Sequence, residues 1–111
     1  MVRITGGAAG GVPLRVPRSG VRPTQDRVRE AVFSMLSGRV AGARVLDLYA
    51  GSGAYGLEAR SRGASVVWWV ERRSAVFRCL QENLAALGGG PELRAWRMDA
   101  RRFVRQAPWD R

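Results

Sequence analysis

A chain of 111 residues has room for one small domain, and a hydrophobic content of 46% supports a core and excludes a disordered polymer. No apolar run nears the ~20 residues of a membrane helix and the N-terminus lacks a signal-peptide block, so a cytoplasmic protein without a membrane segment is expected. With no histidine and the single Cys79, an internal disulfide, His–Cys metal sites and His-based general-base catalysis are excluded, while a net charge of +10 carried entirely by arginine points to a polyanionic partner such as nucleic acid.

The first 23 residues are glycine-rich and basic. Arg3–Gly7 and Gly11–Pro17 read as two short strands joined by a glycine turn, with Pro13 and Pro17 confining the second to an edge. Such a hairpin is too small to stand alone and must dock on the rest of the chain. It carries Arg3, Arg15, Arg18 and Arg22 without an acid, which suits an arm that touches phosphate. A helix is expected next, with Thr24 as N-cap, Asp26 and Glu30 near its positive end, and Gly38 closing it. Val28, Ala31, Val32, Met35 and Leu36 follow helical spacing and predict its buried face.

From residue 40 the pattern becomes α/β. Ala43–Tyr49 reads as a strand covered on both faces, and Ala54–Arg62 as a helix closed by Gly63. Ser65–Val70 is a second strand ending in Glu71, and Ser74–Leu87 a helix with Val76, Leu80, Leu84 and Leu87 on one side. Cys79 falls in that apolar pattern and is expected to be buried. Gly88–Pro91 breaks the helix, Glu92–Arg97 is a third strand, and a short helix runs to about Gln106. The expected organisation is a basic hairpin and helix over residues 1–39, then an incomplete Rossmann-like domain over 40–111, with three parallel strands and right-handed crossovers.

The loop from Asp47 to Gly56 carries the chemistry. Gly51-x-Gly53-x-x-Gly56 matches the dinucleotide fingerprint, and Glu71 lies where that fingerprint wants its acid. Asp47, however, stands four residues before Gly51, where it would repel a pyrophosphate and attract an ammonium or sulfonium. An acid follows each strand: Asp47, Glu71 and Asp99. Ligands bind at the carboxyl ends of such strands. Glu71 suits ribose hydroxyls, and Asp99 with the Ala100 N–H suits adenine. S-adenosylmethionine is therefore the expected cofactor, with a dinucleotide as the minor alternative.

Arg22-Pro23-Thr24-x-Asp26-Arg27-Val28-Arg29-Glu30-Ala31-x-Phe33, followed by Val45-Leu46-Asp47-Leu48-x-Ala50-Gly51-Ser52-Gly53-Ala54-x-Gly56-Leu57-Glu58-Ala59, resembles the RsmD family of bacterial rRNA methyltransferases. Ser61–Ala64, Val70-Glu71, Glu82–Leu84, Leu87-Gly88 and Asp99-Ala100 fit as well. The resemblance implies S-adenosylmethionine-dependent methylation of a guanine N2 in 16S rRNA, on the small subunit or an assembly intermediate. It places Asp47, Gly51, Ser52, Gly53, Glu71, Asp99 and Ala100 around the cofactor and the Arg22–Glu30 segment over it. RNA contacts are expected from Arg3, Arg15, Arg18, Arg22 and Arg27.

The family's pattern continues into an Asp/Asn-Pro-Pro-Tyr/Phe motif that grips the target amine. The chain reaches Arg111 without it, so no catalytic residue is assigned, and a truncated copy with weak cofactor binding at most and no turnover is expected. Without a fourth strand, Val45–Tyr49 is expected at the sheet edge. Tyr55, Arg60 and the Trp68-Trp69 pair stand where smaller or apolar residues are expected. The alternatives are a non-catalytic RNA-binding fragment and, further off, a dinucleotide-binding oxidoreductase.

Overall fold

The computed structural model describes residues 2–17 and 25–106. Thr24, Arg18 and Arg22, each given a role above, lie outside the described residues. Two short strands, β1 (Val2–Arg3) and β2 (Pro13–Leu14), pair antiparallel, with Val2 opposite Leu14 and Arg3 opposite Pro13. They are shorter than the sequence pattern suggests, because only these residues reach the ladder. Val2, Ile4 and Leu14 dock in one apolar cluster with Phe33, Leu57, Val67, Trp69 and Leu80, so the core takes in the hairpin as well as the sheet.

Helix α1 (Asp26–Met35) overturns the expected amphipathic face. It begins at Gln25 without a side-chain cap, and its buried residues are Arg29 and Phe33. Val28 and Leu36 are exposed, and Met35 is 85% exposed. The apolar spacing is real, but Arg29 is drawn inward by the Glu58 carboxylate, and this turns a different face of the helix to the core. Phe33 then stacks on Tyr55 at 6.2 Å, under the Arg62 guanidinium at 5.4 Å from its centroid.

Strands β3 (Arg44–Asp47), β4 (Val66–Val70) and β5 (Leu93–Trp96) form a parallel sheet in the order β3-β4-β5. Helices α2 (Ala54–Ser61) and α3 (Ser74–Ala86) make the crossovers, and α4 (Ala100–Gln106) follows β5. This is a Rossmann-like α/β arrangement. Among the described residues β3 is an edge strand, as expected. The element boundaries expected from the sequence hold to within one or two residues from α2 onward.

The two tryptophans face opposite sides of β4, as strand alternation requires. Trp69 is fully buried on the α2 side, and Trp68 forms an aromatic cluster with Trp96 at 4.7 Å and Phe103 of α4 at 6.2 Å. Arg60 donates to the Ala64 carbonyl and pairs with Glu92 at 2.7 Å. The residues that looked oversized in sequence are therefore structural. Cys79 is buried, as expected.

Candidate functional site

The loop between β3 and α2 is built around Trp69. Its indole N–H donates to the Gly53 carbonyl at 3.2 Å, and its ring lies under the first turn of α2. A Cβ on Gly56 would stand 2.2 Å from the Trp69 Nε1, and one on Gly53, at φ +89°, would stand 2.3 Å from Leu80 Cδ1. These glycines let the loop and helix close onto the sheet. Gly56→Ala is expected to destabilise the fold by about 1–3 kcal/mol through overpacking. Trp69→Phe in the same chain is expected to recover part of that loss, read as urea midpoints, because it removes the atom nearest the clash.

Several of the loop's donors are already committed. Ala50 N–H donates to the Val70 carbonyl, Gly53 N–H to Ala50, and Gly51 N–H to Glu71 Oε1 at 3.0 Å. Asp47 accepts from the Tyr49 and Gly56 backbones. Burial, first, and the nearby Glu71 charge push the Asp47 carboxyl from 3.8 up to about 6, against those two hydrogen bonds. Glu71 behaves oppositely. Burial would raise it, but Arg73 donates from its backbone and its guanidinium fork, Gly51 adds a third group, and the carboxyl falls below its ordinary value.

A cavity of about 410 Å³ opens at the carboxyl ends of the strands, lined by Leu48, Tyr49, Glu71, Arg72, Arg73, Met98, Asp99, Ala100 and Arg101 among others. That volume suits a small-molecule ligand. Of the expected cofactor residues, Glu71, Asp99 and Ala100 line this cavity. Gly51 reaches it through its hydrogen bond to Glu71, while Ser52 and Gly53 are buried within the loop. Asp47 lines a different recess, an apolar groove between α1 and the β3 edge. Asp99 accepts from the Arg101 and Arg102 amides at 2.9 and 3.3 Å, which holds its carboxyl below the usual range.

Arg3 and Arg27 are exposed on the hairpin and α1, and Arg15 pairs with Glu82 at 3.1 Å on the surface. The described part of the Arg22–Glu30 segment contacts the hairpin and α2, not the cavity: Asp26 accepts from the Arg3 amide, and Arg29 from α1 meets Glu58 at 2.9 Å. Sequence reasoning assigned no contact to Asn83. Its amide donates to the Ser52 and Arg15 carbonyls at 2.8 and 3.0 Å and accepts from the Arg15 N–H at 2.8 Å, tying α3 to the glycine loop and the arm at once. Its signal in sequence was a polar residue on an otherwise apolar helix face. Among the described residues no cluster of His, Cys, Asp and Glu could hold a metal, and no helix is long and apolar enough to cross a membrane.

The family model described as Conserved hypothetical protein 95 matches residues 2–110. The Escherichia coli K12 "Ribosomal RNA small subunit methyltransferase D" is 49% identical over 90 residues, which is 80% of this chain and 46% of that protein. The Haemophilus influenzae protein of the same name is 42% identical over 87 residues, 78% of this chain and 45% of its own length. The chain thus spans about half the length of the curated relatives it matches. A solved hypothetical protein from Thermus thermophilus superposes with a TM-score of 0.83 at 39% identity, over 96% of this chain and 61% of that one. The C-terminal domain of precorrin-6Y C5,15-methyltransferase from Rhodobacter capsulatus, at 23% identity and a TM-score of 0.70 over 84% of this chain and 53% of that one, shares the fold.

Proposed function

Since the chain belongs to the RsmD family, whose model covers residues 2–110, we propose that it forms the S-adenosylmethionine side of an rRNA methyltransferase acting on a guanine N2 of small-subunit RNA. The observation that carries the cofactor reading is the state of the glycine loop. In a dinucleotide site the loop amides and helix N-terminus are free to hold a pyrophosphate. Here the chain's own carboxylates, Asp47 and Glu71, take the Tyr49, Gly51 and Gly56 amides. An anion brought to this loop meets two acids, whereas a sulfonium or an ammonium is attracted.

Bound in the cavity, S-adenosylmethionine supplies a methyl group activated by its sulfonium. Glu71 accepts from the ribose hydroxyls, which requires the exposed Arg73 fork to swing away from it. Asp99 and Ala100 border the adenine, and Asp47 adds negative potential from behind the loop. Arg3, Arg15 and Arg27, with Arg18 and Arg22, meet the phosphates of the rRNA in the cytoplasm.

Calorimetric titration of the 111-residue chain with S-adenosylhomocysteine tests the cofactor. Binding is expected, and Glu71→Gln is expected to weaken it by about tenfold through loss of a charged acceptor. Heat with NADH and none with S-adenosylhomocysteine would overturn the reading in favour of a dinucleotide.

A further inference from the structure

Tyr49 is 78% exposed at the carboxyl end of β3, at the rim of the cavity, and it has no place in the cofactor scheme above. A second recess of about 300 Å³ adjoins the cavity and shares Leu48, Tyr49, Ala100 and Arg101 with it, adding Val104 and Arg105. Its apolar floor includes Val104, 57% exposed. Its far wall is the outer side of α4, where Arg101 and Arg105 are exposed one helical turn apart. Asp99, 3.6 Å from the Arg101 guanidinium, is the acid paired with this wall.

An exposed aromatic ring beside two guanidinium groups one turn apart is the chemistry of single-stranded nucleic acid: the ring offers a sequence-tolerant stacking face, and the cations meet successive phosphates. We propose that this recess is a nucleotide subsite for single-stranded RNA, with a base stacked on Tyr49 and its flanking phosphates held by Arg101 and Arg105. The proposal rests on the rRNA reading and deepens it. A nucleotide seated there abuts the cofactor cavity, so Tyr49 would set the approach of the neighbouring base to the methyl group. It also separates this face from the basic hairpin, whose Arg15 is tied to Glu82 and, through its backbone, to Asn83.

The test is fluorescence anisotropy of a fluorescein-labelled, unstructured RNA decamer containing guanine, titrated with the full chain across a salt series. Tyr49→Ala is expected to weaken binding about tenfold with the salt slope kept, and Tyr49→Phe to bind like the parent, since the ring and not the hydroxyl stacks. The double variant Arg101→Gln/Arg105→Gln is expected to lower the slope by about 1.4, two phosphates' worth on a single strand. Circular dichroism melts confirm that each variant folds. RNA binding that responds to Arg15→Gln but not to Tyr49→Ala or the α4 pair sinks this subsite and leaves the rRNA reading standing. Absence of RNA binding by the parent, with S-adenosylhomocysteine still bound, sinks both RNA assignments.

Discussion

Replacing Glu58 by alanine is expected to remove about 3–5 kcal/mol of stability. Domains of this size have only about 5–15 kcal/mol in total. Glu58 and Arg29 are both fully buried and meet at 2.9 Å. The same carboxylate accepts from the Thr5 and Gly6 amides at 2.9 and 3.0 Å and from Arg62 at 2.9 Å. Arg29 in turn contacts Asp26 at 2.8 Å and the Arg3 carbonyl. One side chain therefore joins the hairpin, α1 and α2. Alanine would leave the buried guanidinium with Asp26 as its one carboxylate partner and orphan two backbone donors, and that penalty exceeds any net attraction the pair contributes.

Burial alone would raise the Glu58 carboxyl, but the Thr5 amide and the two arginines bring it below 4.5. Its contribution is then complete above pH 4.5 and fades as pH falls through the lower native value, so wild-type stability should decline into acid and Glu58→Ala should decline less. Urea melts at neutral pH and in mild acid read both effects. Arg29→Met combined with Glu58→Gln should recover part of the loss, because it removes the buried cation while keeping an acceptor for Thr5. A Glu58→Ala chain within about 1 kcal/mol of wild type at neutral pH would show that the node does not hold the hairpin.

Asp47→Asn is expected to do the reverse: to stabilise the empty protein and weaken its ligand binding. Asp47 is displaced from 3.8 to about 6 in the native state. Between those values the native state retains a proton that the unfolded chain releases, so stability falls as pH rises through that window. The deficit, about 3 kcal/mol by linkage, persists at higher pH and is absent below pH 3.8. Asparagine removes the charge and keeps one accepting oxygen for the Tyr49 and Gly56 amides. A gain of about 1–3 kcal/mol at roughly pH 7.5, shrinking towards zero at about pH 4, is expected from paired urea melts.

The charge that destabilises the apo fold is the one that favours a sulfonium beside the loop. Affinity for S-adenosylmethionine should therefore fall about tenfold, and by less for S-adenosylhomocysteine, whose sulfur is neutral. An Asp47→Asn chain that binds both ligands as wild type does would show that Asp47 serves the loop's geometry alone.

The order of strands and helices, the glycine loop, and an acid after each strand were all legible in the sequence. Apolar runs, Gly punctuation and period-2 or period-3.6 spacing are properties of neighbouring residues, and local residues suffice to express them. The glycine and acid pattern likewise raised the expectation of a ligand site at one end of the sheet, and Glu71, Asp99 and Ala100 line a cavity there. The tertiary structure alone decided which side of α1 is buried. A charged residue becomes a core residue only if partners arrive from far along the chain, and Arg29 finds Glu58 29 positions away while Thr5 finds it 53 away. It also decided that Asp47 opens onto a groove while Glu71 lines the cavity, since only the packing of α1 against the β3 edge closes that groove. The folded loop also engages three of its amides with the chain's own carboxylates, Tyr49 and Gly56 with Asp47 and Gly51 with Glu71 across the sheet, in a pattern shared in sequence with dinucleotide sites.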